Sequence, residues 1–280
     1  MSPAIAATTE HAQGSIGRGT AGLGGLQRIP FEVRWRALGY VVLLGGWQLL
    51  STYVVASHIL PSPVTIVGEM GRVITSGQFL THFGATVQRT FVSLPLVFVL
   101  GAAVGLAMGL SRWWEAFFRD FITVLLSIPG LIIVLIAILL MGLSPWGPIL
   151  AILVTNFAFV TIQVWEGVKD RPRELLDMAA AFGVAPRTRM RHIVLPALAP
   201  YLFTAFTYAF TLTWKLAMIT ELFGASQGVG FRMRAEFWEF NVAGMLAWAL
   251  LLFVIALAFE KLVLKRVERH VLRWREASFR

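Results

Sequence analysis

Six intervals of this chain, 37–56, 86–110, 121–143, 148–165, 199–222 and 242–263, are almost continuously apolar, and the polar residues gather between them. Each interval is about as long as a helix must be to cross roughly 30 Å of hydrocarbon. The pattern predicts an all-α, polytopic membrane protein with six transmembrane helices. Residues 1–33 are rich in Gly, Ala, Ser and Thr and have no apolar centre, so they lack the core of a secretory signal and are expected to form a disordered cytoplasmic tail. A membrane domain is expected over 34–267, followed by a basic cytoplasmic tail at 268–280.

Two of the connecting segments have a grammar of their own. After the first interval, Leu60-Pro61-Ser62-Pro63 makes an extended entry, and Val64, Val67, Met70, Gly71 and Ile74 follow at helical spacing, which predicts an outer, interfacial helix. The segment 168–198 is the most polar and basic stretch between two apolar runs. Pro172 suits a first helical turn, with Asp170 and Glu174 near the positive end of the dipole. Leu175, Leu176, Ala179 and Phe182 fall close to one face, Ala179, Ala180 and Ala181 permit close approach, and Gly183 ends the helix. Pro186 opens a second short helix with Arg187, Arg189 and Arg191, and Leu195-Pro196 predicts a redirection before the next apolar run. The expected result is an L-shaped basic elbow.

Composition narrows the class. The chain is 57% hydrophobic and 14% charged, with mean hydropathy +0.73, too apolar for an ordinary soluble domain. Its net charge of +9 does not point to nucleic acid, because the basic residues lie beside apolar runs instead of forming one folded face. They serve as topology signals. Alternate loops collect Arg28, Arg34 and Arg36; Arg112 and Arg119; Lys169 through Arg191; and Lys261 through Arg275, against mainly Arg72, Arg232 and Arg234 on the other side. By the positive-inside rule both termini and the elbow are cytoplasmic. There is no cysteine, and the five histidines are scattered, so no metal site is expected. None of the lysines Lys169, Lys215, Lys261 and Lys265 follows a glycine, which excludes a phosphate-binding P-loop; HExxH is missing too. The chain is therefore not expected to be an enzyme, and energy must come from another polypeptide.

Within the apolar runs, Gly101, Gly105 and Gly109 form a stripe that admits another helix, from the same chain or a second copy. Ser127, Pro129 and Gly130 mark a break that either borders a pathway or kinks a packed helix. Trp214, Lys215 and Glu221 lie in the fifth run. Lys215 either attracts an anion or is neutralised by a carboxylate such as Glu221, six positions away and on a different face. Arg89 is expected near the outer headgroups or facing protein. The outer loop Gly224 to Asn241 holds Phe231, Phe237, Trp238 and Phe240, which fit interfacial anchors or a contact for another protein.

Asp177-Met178-Ala179, Gly183, and, after nine intervening residues, Ile193-Val194-Leu195-Pro196 resemble the EAA-x3-G-x9-I-x-LP loop of ABC-importer permeases. Asp177 stands where that family has Glu and Met178 where it has its first Ala. Leu60 to Val67, Thr81 to Thr90, the glycine stripe, Trp214 with Glu221-Leu222, and Gly228 to Phe231 resemble the taurine, sulfonate and nitrate branch. The third run departs from it, with one Pro-Gly pair in place of a Pro-x-Pro-Pro-x-Ala-Trp segment. The resemblance implies a six-helix permease of the type I importer kind in the cytoplasmic (inner) membrane of a bacterium. It implies ATPase coupling through Glu174, Asp177, Met178, Ala179, Ala180, Gly183, Arg187, Ile193, Leu195 and Pro196. The implied partners are a cytoplasmic ATPase dimer that binds ATP and Mg, a second permease subunit expected to be identical, a periplasmic or lipid-anchored solute-binding protein, and the lipid bilayer. The solute expected is a small anion such as taurine, an alkanesulfonate or nitrate; aromatic acids and vitamin-precursor pyrimidines are handled by similar permeases. A competing class is an ATP-independent secondary transporter, which would use Lys215 and Glu221 for ion coupling but for which the chain shows no inverted repeat.

Overall fold

The computed structural model describes residues 31–142, 144–170 and 172–271, and all regular structure among them is helical. The chain divides into two compact units at Gly45, inside the first helix, α1 (Phe31–Tyr53). The described part of the first unit is the beginning of that helix, where Arg36 and Glu32 pair one turn apart at 3.7 Å.

The second unit contains the packed bundle. The last turns of α1 are tied to the LPSP entry: Trp47 Nε1 donates to the Pro61 carbonyl at 3.1 Å and Ser51 Oγ to that of Leu60 at 2.6 Å. Ser62 then caps α2 (Pro63–Thr75), accepting from the Thr65 N–H, and Pro63 occupies the first position, where its missing N–H is harmless. Ile66 and Val73 bury the inner face of this helix in the main core. Next come α3 (Phe79–Leu110), α4 (Arg112–Ser127), α5 (Gly130–Met141) and α6 (Trp146–Lys169). The elbow consists of α7 (Arg173–Ala181), α8 (Pro186–Arg189) and a wider π-helical turn at Met190–Val194. Then follow α9 (Leu195–Gly224), α10 (Val229–Trp238), α11 (Val242–Phe259), a second π turn at Glu260–Leu264 and α12 (Lys265–Val271).

Small residues set the closest approach in the bundle. The Gly101, Gly105 and Gly109 stripe of α3 lies directly on Val160, Val164 and Val168 of α6, in the same chain. A side chain at Gly101 would put its Cβ 2.7 Å from Val160 Cβ, and one at Gly105 2.6 Å from the Thr161 carbonyl. In the middle of α6, the buried Asn156 amide donates to the Ala209 carbonyl at 3.0 Å and to Thr213 Oγ1 at 2.9 Å, pinning α6 to α9.

The span count differs from the six expected. Four helices among the described residues are long and apolar enough to cross a membrane, Phe79–Leu110, Trp146–Lys169, Pro186–Gly224 and Val242–Val267, and α4 with α5 makes up to five. The first expected span, 37–56, falls in α1, which is not among them because Arg36, Gln48, Ser51 and Thr52 dilute its apolar content. The third, 121–143, is broken: α4 begins already at Arg112 and meets α5 at a 96° bend. Pro129 supplies no N–H and forces Ile128 to extended φ −80°, ψ 125°, so the helix cannot continue through it. The redirection expected at Leu195-Pro196 does not occur, since one helix runs unbroken over 39 residues from Pro186 to Gly224. The Leu195 N–H reaches back to the Met190 carbonyl, and this π turn gives the room that Pro196 needs against the preceding turn. The outer loop expected at Gly224 to Asn241 contains a further helix, α10. Of the two tails, residues 31–33 and 268–271 are helical and the rest lie outside the described residues.

Candidate functional site

The elbow is closed by its glycine. At Gly183 φ is +70°, a conformation that costs a residue with a Cβ, and it lets the Val184 N–H reach the Ala179 carbonyl at 2.9 Å while the Gly183 N–H bonds that of Ala180 at 3.0 Å. Those are the two bonds of a Schellman cap. The helix it ends has two neighbouring faces, since successive residues turn about 100°. Leu176 packs on the main core and Ala179 is buried. Leu175, Met178 and Phe182 point outward, with Phe182 80% exposed, beside exposed Glu174, Asp177 and Ala180. The single face expected for Leu175, Leu176, Ala179 and Phe182 is thus split in two. Arg187 and Leu195 are exposed, and Ile193 and Pro196 half-buried.

Side chains from the bundle hold the elbow's base. Lys169 Nζ pairs with Glu115 Oε1 at 2.6 Å and sits 4.0 Å over the Trp165 ring, linking the end of α6 to α4. Tyr201 donates its hydroxyl to Asp170, and its ring lies on Gly167, where no side chain fits.

At the far end of α9, about 39 Å from Leu195 by helical rise, a second constellation is buried. Glu221 is fully enclosed. Its Oε1 accepts from Arg89 Nη1 at 2.7 Å, and its Oε2 accepts from Thr86 Oγ1 at 2.8 Å and from the Gly230 N–H at 3.1 Å. Arg89 Nη1 also donates to the Gln227 carbonyl at 2.7 Å, the Val229 N–H donates to Thr86 Oγ1 at 2.9 Å, and the Gly228 N–H to His82 Nδ1 at 3.3 Å. Gly228 has φ +126° and lies so close to the Glu221 carboxylate that no Cβ fits between them. One carboxylate therefore ties α3, α9 and α10 together.

The other expected residues lie apart from this cluster. Lys215 is exposed and lines a mainly apolar groove of about 190 Å³ with Phe210, Trp214, Leu252, Ala256 and Glu260. It does not pair with Glu221, whose cation is Arg89. At the break, Ser127 Oγ bonds the Thr123 carbonyl at 2.8 Å, Pro129 is exposed, and Gly130 rests on Thr155 of α6. Sequence reasoning missed the joint role of His82, Thr86, Arg89 and Glu221. The available signal was that a carboxylate buried in an apolar run needs a cation or hydrogen bonds.

Comparison with known proteins fits these features. Residues 97–273 match the family described as binding-protein-dependent transport system inner membrane component. SsuC of Escherichia coli (strain K12), named for the transport of aliphatic sulfonates, is 27% identical over 239 residues, covering 85% of this chain and 90% of the relative. The formylaminopyrimidine transport permease ThiX of Halalkalibacterium halodurans is 25% identical, covering 85% and 95%. The taurine transport system permease TauC of Escherichia coli (strain K12) is 24% identical, covering 84% and 86%. Among solved structures, a chain of the inward-facing MetNI methionine ABC transporter matches with TM-score 0.59 at 20% identity, over 67% of this chain and 93% of its own length, which shows a shared fold. With more than half of its length matched by the family model, the chain belongs to the binding-protein-dependent transport system inner membrane components, the permease subunits of ABC importers.

Proposed function

We propose that the outward face of α7 is where this permease receives the work of its ATPase, and that the solute it passes is a small anion. As a member of its family, the chain is a non-catalytic, multi-pass inner-membrane component without a nucleotide site, and its importer implies ATPase and binding-protein partners. The observation that carries the coupling reading is the exposed triplet Leu175, Met178 and Phe182 on a segment too charged to enter lipid. An apolar face in water calls for a protein partner. Asp177, Glu174 and Arg187 flank it and supply the polar rim. Burying a Phe contributes about 1.5–3 kcal/mol, so Phe182→Asp is expected to remove the ATPase subunit from the complex purified in mild detergent. Leu176 and Ala179, which face the bundle, keep the fold of the variant intact. An undiminished yield of ATPase with Phe182→Asp would refute the assignment.

The π turn serves the same coupling. It makes α8 and the 30-residue α9 one continuous rod, so a push that α7 passes across the Gly183 turn to Pro186 reaches the Glu221 cluster without a further break. Deleting one residue from Met190–Val194 is expected to restore regular helix and rotate the elbow by about 100°. Uptake should be lost while the thermal unfolding temperature stays near that of the parent; retained uptake would show that the register is immaterial.

In this reading the elbow and both termini are cytoplasmic, α1 supplies a further span (its 23 residues reach about 34 Å), and two identical permeases enclose the pathway. Ser127, Pro129, Gly130, Trp214 and Lys215 remain its candidate lining. Glu221, sealed behind Arg89, is instead a strut, which removes the carboxylate that an ion-coupled secondary transporter would use. Sulfonate and taurine names among the relatives favour an anion, and ThiX keeps pyrimidines as the second reading.

A further inference from the structure

The Glu221 cluster borders a cavity of about 260 Å³ between α3, the start of α6 and the Gln227 turn. Gln88, Arg89 and Gln227 are its polar lining, and Ala85, Val92 and Ile149 part of its apolar lining. Arg89 presents itself there in a particular way. A guanidinium has five N–H groups. The two on Nη1 are taken, one by Glu221 Oε1 and one by the Gln227 carbonyl, each at 2.7 Å. The Nε–H and the Nη2 pair have no protein acceptor among the described residues, and the side chain is 14% exposed. Nε and Nη2 are the parallel fork that binds an oxyanion in bidentate fashion.

We infer that this cavity is an oxyanion subsite, in which Arg89, aimed by Glu221, grips the charged head of the solute through its Nε–Nη2 edge. Gln88, one position before Arg89 on α3, also lines the cavity and offers an amide donor to a third oxygen. The turn that forms one wall is fixed before any ligand arrives, because the Gly228 and Val229 N–H groups are held by His82 and Thr86. Glu221 cancels the formal charge of Arg89, so the fork binds by geometry more than by field. That suits a permease, which must release what it holds. The ligand class is a sulfonate, sulfate or similar tetrahedral oxyanion on a small organic body, the apolar wall accepting the body. The inference rests on the anion reading above and places the site at the end of the bundle opposite the elbow.

The test uses the full chain with its co-purifying subunits in lipid nanodiscs, titrated with methanesulfonate and, as an uncharged counterpart, dimethyl sulfone. Methanesulfonate is expected to bind saturably and dimethyl sulfone not. Gln88→Glu should weaken methanesulfonate by about tenfold or more, and Ile149→Trp, which fills the cavity, should abolish binding. Neither substitution touches the Arg89–Glu221 pair, so both variants should unfold at the parent temperature. Gly68→Ala, in α2 and outside this lining, should bind as the parent does. The inference is overturned if methanesulfonate fails to saturate the parent at tens of millimolar, if dimethyl sulfone binds equally, or if both cavity variants bind like the parent. Saturable methanesulfonate binding that both cavity variants leave unchanged would uphold the anion reading and overturn the subsite, whereas no binding to the parent would overturn both, so the two failures are distinguishable.

Discussion

Arg89→Ala is expected to be the most damaging single substitution in this protein. Glu221 is fully buried, and among the described residues its only cation is Arg89. Removing one partner of a buried pair leaves an uncompensated charge, which costs about 3–5 kcal/mol. Thr86 and the Gly230 N–H would still bond the carboxylate, but neither supplies charge. Glu221→Gln should cost less, because Arg89 keeps the Gln227 carbonyl and some contact with solvent. The double variant Arg89→Met, Glu221→Gln should recover part of the loss, since the uncompensated charge is gone. Thermal unfolding of the purified chain reads all three. Equal stability of Arg89→Ala and the double variant would show that charge pairing is not what holds α3, α9 and α10 together.

Gly105→Val is expected to prevent correct packing of α3 on α6. A Cβ at Gly105 meets the Thr161 carbonyl at 2.6 Å and Val164 Cβ at 2.8 Å, and the first of these is backbone that cannot rotate away. Overpacking of this kind costs about 1–3 kcal/mol or more, and here it pries apart the two helices that form the middle of the bundle. Gly68→Ala is the control. It lies in α2 with nothing within 4 Å of its Cβ, and replacing a helical glycine gains about 0.5–1 kcal/mol. Yield of monodisperse protein should collapse for the first and hold for the second; equal yields would mean the stripe tolerates bulk.

Much of this architecture is legible from local chemistry. The LPSP entry, the Ser62 cap and the Gly183 terminator act within a few residues of themselves, so their sequence and their geometry agree. Spacing likewise exposes the glycine stripe, although only the fold shows that its partner is α6. What escapes is whatever depends on distant or compensated contacts. Arg89 and Glu221 are 132 positions apart, and rules for neighbours on one helix never bring them together. Helix α10 is too short and too charged to stand out by periodicity; it is held by Arg234 donating to the Leu222 and Ala225 carbonyls and ended beside the Asn241 cap of α11. Pro196 reads as a turn because proline breaks regular helix, yet one wider turn ahead of it removes the clash. Pro129, with the same chemistry, does break its helix: extended backbone at Ile128 takes the place of a π turn.

The central claim, that the outward face of α7 is the ATPase contact, is tested most directly with a unique thiol. The chain has no cysteine, so Met178→Cys carries a single reactive site on that face. Its maleimide labelling would be timed with the permease alone and with its ATPase subunit added, against Thr75→Cys at the end of α2 as a reference. The account predicts that the ATPase protects position 178 strongly and position 75 not at all. Equal labelling of position 178 with and without an ATPase known to be bound would contradict it.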